Sequence, residues 1–80
     1  MKKILLSEYK DYMGIFIEVN DNYTNVVKNG LHIPYENLLV NHKELLDKNK
    51  KYYIYCKGGV KSRKVVNILS FYGYDVTLVY

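Results

Sequence analysis

Residues 52 to 80 alternate between a strand pattern and a helix pattern. Tyr52 to Tyr55 form an almost wholly apolar run, which is typical of a strand covered on both faces. After the loop CKGGVKS, apolar side chains recur at helical spacing, at Val65, Ile68, Leu69 and Tyr72. Gly73 is the predicted end of this helix, and Asp75 to Tyr80 (DVTLVY) form a further predicted strand. Strands that alternate with helices predict an α/β fold with a mainly parallel sheet.

The N-terminal part contains short segments of both kinds. Lys2 to Leu5 and Ile15 to Val19 (IFIEV) are predicted strands, and Leu31 to Ile33 is a minor one. Between the first two strands, Ser7 is the predicted N-cap of a helix that ends at Gly14, with one face formed by Tyr9, Tyr12 and Met13.

The segment from Asn20 to Gly30 is polar, and a short helical turn is expected around Tyr23 to Val27. After Pro34, the apolar positions fit one or two helical pieces that are interrupted near Asn41; these positions are Tyr35, Leu38, Leu39, Leu45 and Leu46. No repeat or linker divides the chain, so residues 1–80 are predicted to form a single domain.

Composition limits the class of protein. Hydrophobic residues make up 49% of the 80 residues, which is ordinary for a globular domain, and a domain of this size buries about 60% of its unfolded surface. The apolar runs are far shorter than the roughly 20 residues that span a bilayer. MKKILL is too brief for a cleavable leader, so a cytoplasmic protein without a membrane partner is expected.

Charge and ligand-forming residues argue against several partners. The net charge of +4 is compatible with nucleic-acid binding, but the lysines are dispersed, so solvated lysines are the better interpretation. The single cysteine excludes an internal disulfide and a cysteine-rich zinc site. His32 and His42 are predicted to be surface or packing residues, because no ligand cluster accompanies them. We therefore predict a monomer with no metal, no cofactor and no nucleic-acid partner.

Cys56 is the leading candidate for a reactive residue. It follows a predicted strand directly, and sites in parallel sheets lie beyond the carboxyl ends of the strands. Gly58 and Gly59 can adopt backbone angles that let successive N–H groups converge on one point. The following helix adds partial positive charge, as do four nearby cations, Lys57, Lys61, Arg63 and Lys64. These features favour a nucleophilic thiolate over an inert buried cysteine.

The segment YIYCKGGVKSRKVVNILSFYGYDV resembles the active-site segment of single-domain rhodanese-like proteins. In that family a strand ends in Cys, a short loop with glycine and a basic residue follows, and a helix then ends in Gly-Tyr before another strand. SEYKDYM is similar to the early helix, IFIEVND to the strand that usually carries Asp-x-Arg, and NGLHIPYENLL to the His-Ile-Pro region. The resemblance covers essentially the whole chain. It implies a somewhat shortened three-layer α/β/α domain with a central, mostly parallel sheet.

The resemblance also implies a sulfurtransferase mechanism. The Cys56 thiolate would attack the outer sulfur of a small anionic donor such as thiosulfate, release sulfite and keep the sulfur as a persulfide. Cyanide, a thiol or a sulfur-accepting protein would then take that sulfur. Backbone amides would cradle the persulfide anion. The loop that supplies them would consist of Lys57, Gly58, Gly59, Val60, Lys61 and Ser62.

Four features depart from the family pattern. Lys61 replaces the usual Arg and lacks its planar two-point grip on an oxyanion, so thiosulfate is expected to bind weakly and Lys61→Arg to improve its use. EVN (residues 18–20) stands in place of Asp-x-Arg, which keeps an acid and loses a cation. GLHIP (residues 30–34) fuses two apolar-Pro steps, so no role is transferred to His32. Relatives commonly continue beyond the position of Tyr80 to a last helix.

Two other functions compete with sulfur transfer. Cysteine phosphatases of the same fold use a Cys and an Arg that are separated by five residues. Counted from Cys56, the position of that arginine is occupied by Ser62, and Arg63 lies one residue later. A shortened rhodanese-like module could instead be a slow sulfur carrier or an inactive binding or regulatory module. The retained Cys56 and glycines favour transfer, and persulfide formation distinguishes the two.

Overall fold

A computed structural model describes residues 1–80 and contains five strands and two α-helices. The strands are β1 (Lys3–Ile4), β2 (Ile15–Glu18), β3 (Leu31–His32), β4 (Lys51–Tyr55) and β5 (Asp75–Val79). The helices are α1 (Tyr35–Leu45) and α2 (Val60–Phe71). All neighbouring strands are parallel, in the order β1-β5-β4-β2-β3. The predicted α/β class with a parallel sheet is confirmed.

The central strand β4 is covered on both faces, as its apolar run predicts. Ile54 points to the face that carries both α-helices and is fully buried among their side chains. Tyr53 points to the opposite face, where it joins Phe16 and Val79 in a smaller cluster. Successive residues of a strand face opposite sides of a sheet, which accounts for this division.

Both α-helices pack on the same face of the sheet. Their buried side chains form one cluster with those of the strands, and the helical members are Leu38, Val65, Val66 and Leu69. The break predicted near Asn41 is present, since that residue has φ −110° and ψ 20° within α1. α2 ends at Phe71, and Gly73 follows with a positive φ, as predicted. Neither helix has the length and apolar character that a membrane crossing requires.

The opposite face is covered by two 3-10 turns, Leu6–Glu8 and Asp11–Met13, instead of an α-helix. The predicted helix from Ser7 to Gly14 is therefore wrong, and its layer is reduced to these turns. Tyr9 lies between the two turns, and its backbone is extended. The Tyr9 hydroxyl donates to the Gly14 carbonyl at 2.7 Å. Its ring also lies against two buried rings of the sheet, those of Phe16 and Tyr53. This packing outweighs the weak helical preference of so short a segment.

The helical turn predicted around Tyr23 to Val27 is also wrong. Thr24 donates its N–H to the Glu18 carboxylate at 2.9 Å, and Asn25 has a left-handed φ of 55°. A helical turn over these residues would need a right-handed backbone at Asn25, so this left-handed φ rules it out. Tyr23 instead stacks on the ring of His32, with 5.3 Å between the ring centroids.

The packing of α2 on the sheet predicts very different costs for two truncations in the same helix. Leu69 is 0% exposed, whereas Phe71 is 87% exposed. We expect Leu69→Ala to lower the free energy of unfolding by about 2–5 kcal/mol, because it leaves a cavity in the core. Phe71→Ala should change it by only about 0.5 kcal/mol. Urea denaturation measures both, and equal losses would contradict this packing.

Candidate active site

Cys56 lies directly after β4, in the short connection that leads to α2. Because β4 sits between β5 and β2, this connection emerges at the carboxyl edge of the sheet centre. Ligand sites of parallel α/β sheets occur at this edge. The cysteine is free and only 4% exposed, so the surrounding backbone controls the environment of its sulfur.

Two backbone N–H groups converge on the sulfur of Cys56. Gly59 donates to Sγ at 3.1 Å and Ser62 donates at 3.2 Å. Gly59 adopts a left-handed φ of 81° at the N-cap of α2, a conformation that favours glycine and turns its amide towards the sulfur. The Ser62 hydroxyl lies 3.2 Å from Sγ and also donates to the Gly59 carbonyl at 3.3 Å. The sulfur therefore sits in a cradle of donors.

The predicted anion-binding loop is shorter than expected, because α2 begins at Val60. Val60, Lys61 and Ser62 form the first helical turn, in which backbone N–H groups have no acceptor within the helix. The sulfur thus lies at the positive end of the helix dipole. Val60 points into solvent, and Gly58 makes no hydrogen bond to the sulfur. The family resemblance extends this loop to Ser62, whereas α2 already begins at Val60.

The outer side of the connection is open. A Cβ built on Gly58 or Gly59 would have no heavy atom within 4 Å, apart from its immediate neighbours in the chain. A small molecule can therefore approach the connection on this side without displacing side chains.

The charge of Lys61 is paired. Its Nζ lies 2.7 Å from Oδ2 of Asp21, and it also lies 5.8 Å from the centre of the Tyr35 ring. The hydrogen bond to Asp21 raises the pKa of Lys61, and negative charge at Cys56 acts in the same direction. The ammonium group of Lys61, the predicted electrostatic support of the sulfur, is therefore already paired with a carboxylate.

A buried carboxylate connects β2 to the Cys56 connection. Glu18 is 1% exposed, and its Oε2 accepts the Asn20 side-chain amide at 2.8 Å and the Thr24 N–H at 2.9 Å. Asn20 in turn accepts the Lys57 N–H through Oδ1 at 3.0 Å. The first peptide after Cys56 is therefore held by a side chain that Glu18 orients. The other carboxylate oxygen, Oε1, is buried without a hydrogen-bond partner.

Hydrogen bonds determine the ionisation of Glu18. Burial by itself would raise its pKa, but the hydrogen bonds from Asn20 and Thr24 hold the pKa below the ordinary value of 4.5. Glu18 is therefore a carboxylate at neutral pH, which matches its role as an acceptor.

Sequence reasoning missed the roles of Asn20 and Asp21. Asn20 was identified only as the replacement of a family cation, and Asp21 only as part of a polar segment. Glu18 pairs with Tyr55 in the β2–β4 register, so Asn20 lies beside Lys57, two residues further along each strand. The sequence shows Asn20 and Asp21 as two polar residues after β2, but their roles become clear only when β4 is known to be the neighbouring strand.

The remaining candidates make no hydrogen bond to the sulfur. Arg63 lines a groove of about 560 Å³ that includes Gly58 and Gly59 of the Cys56 connection; its other lining residues are Val60, Lys64, Asn67 and Ile68. His42 is buried and bonds the Tyr74 hydroxyl at 2.8 Å, so it is a packing residue, as predicted. His32 contacts the Asn20 carbonyl through Nε2 at 2.6 Å. No group of three metal-ligating side chains occurs in the chain.

Solved structures resemble this chain, although no protein-family model and no curated protein matches its sequence. A rhodanese-related protein from Thermoplasma volcanium has a TM-score of 0.86 and 23% identity, covering 99% of this chain and 83% of that one. A rhodanese-like domain protein from Staphylococcus aureus is 30% identical, with a TM-score of 0.75 and coverage of 96% and 82%. A NAD-dependent persulfide reductase from A. fulgidus has a TM-score of 0.78 and 21% identity, covering 98% of this chain and 14% of that one.

These similarities extend over nearly the whole chain and over most of the first two proteins. Together with the parallel sheet, they place the chain in a defined class. It belongs to the rhodanese-like family.

The lowered pKa of Glu18 predicts how stability depends on pH. Its ionised form stabilises the fold above pH 4.5, and this contribution is lost as the pH falls through the lower pKa of the folded state. Glu18→Gln should therefore flatten the acid limb of the stability curve, by at most about 1.4 kcal/mol per pH unit. Chemical denaturation across this range measures the slope.

Glu44→Gln is the matched control for this experiment, because Glu44 is an exposed carboxylate outside the ion pairs of the structure. It should leave the acid limb nearly unchanged. Equal flattening in the two variants would contradict the special role of Glu18.

Proposed function

We propose that this protein is a sulfurtransferase that carries a sulfane sulfur on Cys56 as a persulfide. The observation that supports this function is the convergence of the Gly59 and Ser62 N–H groups on Sγ, at the carboxyl edge of a rhodanese-like sheet. Such donors stabilise negative charge on sulfur through geometry and need no particular side chain. A segment that makes up 14% of a NAD-dependent persulfide reductase shares this fold.

In the first half-reaction, the Cys56 thiolate attacks the outer sulfur of the donor. With thiosulfate, a new S–S bond forms to Cys56, the S–S bond of the donor breaks, and sulfite leaves with its electron pair. The charge of −3 on the reactants is conserved in the persulfide anion and the sulfite dianion. A protonated thiol would first lose its proton to solvent, because the thiolate is the nucleophile.

In the second half-reaction, an acceptor nucleophile attacks the outer sulfur of the persulfide. The bond between the two sulfurs breaks, and the Cys56 thiolate leaves, which regenerates the site. Cyanide would give thiocyanate, and a thiolate would give a new persulfide. The N–H groups of Gly59 and Ser62 stabilise the departing thiolate as they stabilise the attacking one.

The Ser62 hydroxyl supplies an adjustable contact in this cycle. It accepts from a protonated thiol in the arrangement seen here and donates to the Gly59 carbonyl. A hydroxyl can rotate, so it can donate to the sulfur once the proton has left. Ser62 thereby follows the change of charge without movement of the backbone.

The setting and partners belong to the same proposal. We assign the protein to the cytoplasm, where a free thiol is maintained and small thiols or a sulfur-accepting protein serve as acceptors. Phosphatase chemistry has no comparable support, because Arg63 does not contact the sulfur cradle.

Persulfide formation is the direct test of this function. Wild-type protein incubated with thiosulfate should gain the mass of one sulfur atom, and a thiol reductant should remove it. Cys56→Ser should remain folded and gain nothing, because a serine hydroxyl is not a comparable nucleophile at neutral pH. Intact-protein mass spectrometry measures both. No adduct on folded protein with a free thiol would contradict the proposal.

The backbone of Gly59 provides a second test. Gly59→Ala places a Cβ on a residue with a φ of 81°, at a cost of about 1–2 kcal/mol, which displaces its N–H from the sulfur. We expect persulfide formation to slow by about tenfold.

Gly58→Ala is the matched comparison, since Gly58 has no positive φ and no hydrogen bond to Sγ. It should slow persulfide formation less than Gly59→Ala does. Intact-protein mass spectrometry of reactions quenched at successive times measures both rates. Equal slowing would show that the Gly59 amide has no special role.

A further inference from the structure

A polar groove lies beside the Cys56 connection, on the side of the segment that follows β2. It has a volume of about 370 Å³, and no hydrophobic side chain lines it; its residues are Asn20, Asp21, Asn22, Thr24, Lys57 and Lys61. We call it the loop groove. Its two walls are the polar segment after β2 and the connection after β4, because these strands are neighbours in the sheet. The groove therefore holds two cations and one carboxylate beside the Cys56 connection.

Asp21 is the one acidic residue that lines the loop groove. Its carboxylate binds the Lys61 ammonium at 2.7 Å, and both side chains reach solvent. The Tyr35 ring also lies beside Lys61 and keeps that ammonium near the groove. Lys57 is the other cation of the groove and has no ion pair. One of the two positive charges of the loop groove is thus offset by Asp21.

We propose that Asp21 determines which sulfur donors react with Cys56, because it disfavours donors with two negative charges and favours donors with one or none. The corresponding donor class is the persulfide of a small thiol of low charge. This inference rests on the proposed sulfurtransferase function and adds a specificity residue to it. With such a donor, the Cys56 thiolate takes the outer sulfur of R–S–SH and releases R–S⁻, so that atoms and charge balance.

The effect of Asp21 on the reaction rate depends on the charge of the donor. The carboxylate of Asp21 changes the potential near Cys56 by a fixed amount, and the energy of an approaching donor is that potential multiplied by its charge. A dianion therefore experiences twice the energetic effect that a monoanion experiences. In rates, the effect on the dianion is the square of the effect on the monoanion.

Two sulfur donors that have nearly equal shapes but different charges can test this dependence. Thiosulfate is a dianion that releases sulfite, whereas the methanethiosulfonate anion is a monoanion that releases methanesulfinate. In both reactions the thiolate attacks the outer sulfur, and the bond between that sulfur and the oxidised sulfur breaks. The comparison therefore isolates charge from the chemistry of transfer.

The experiment compares rate constants of persulfide formation for the two donors in wild type, Asp21→Asn and Glu44→Gln. Asp21→Asn keeps the shape of the side chain and removes its charge. We expect gains of about threefold with methanethiosulfonate and about tenfold with thiosulfate at low ionic strength. Both gains should shrink at high salt, because exposed charges are screened.

Glu44→Gln controls for net charge, since it removes one exposed carboxylate outside the loop groove. It should change each rate less than twofold. The paired state of Lys61 also predicts that Lys61→Arg improves thiosulfate use more in the Asp21→Asn background than alone, because arginine would otherwise bind Asp21.

Four outcomes would overturn the inference, and they differ in what they say about the function. Equal gains with both donors, or no gain with either, would refute the role of Asp21 while persulfide formation still supports sulfur transfer. Gains in Glu44→Gln as large as those in Asp21→Asn would assign the effect to net charge. No adduct with any donor in any variant would overturn the proposed function, and the role of Asp21 with it.

Discussion

The parallel pairing of β2 with β4 is the constraint on which the candidate site depends. It places Glu18 opposite Tyr55, so the chain after each strand leaves the sheet at the same edge. Asn20 can therefore hold the Lys57 peptide, and Asp21 can bind Lys61. Residues that are far apart in the sequence thus define both the position of the Cys56 connection and the charge beside it.

The stabilisation of negative charge on the Cys56 sulfur depends on the first turn of α2. A helix whose first turn offers free N–H groups can stabilise an anion there, and Gly59 adds a further donor because its left-handed φ turns the amide inward. This arrangement needs neither a metal nor a charged side chain in contact with the sulfur. The contacts to Sγ come from the backbone and from Ser62, and Lys61 makes none of them.

The sequence predicted well where local pattern and tertiary packing agree. β4, α2 and β5 each have enough apolar residues at one period to specify an element, and Cys56 stands between two of them. The prediction failed where a segment was short and its side chains were used elsewhere. Tyr9 packs against the sheet and interrupts the expected helix, and the left-handed φ of Asn25 rules out the expected helical turn.

The sequence by itself determined the class of fold, the family resemblance and the identity of the candidate nucleophile, because these depend on periodicity and on the neighbours of Cys56 within one segment. Only the tertiary structure decided which N–H groups contact Sγ, that Asn20 holds the connection, and that Asp21 offsets the charge of Lys61. The physical reason is that these contacts join β2 to the chain after β4. Their geometry depends on strand order and register, which no local sequence pattern specifies.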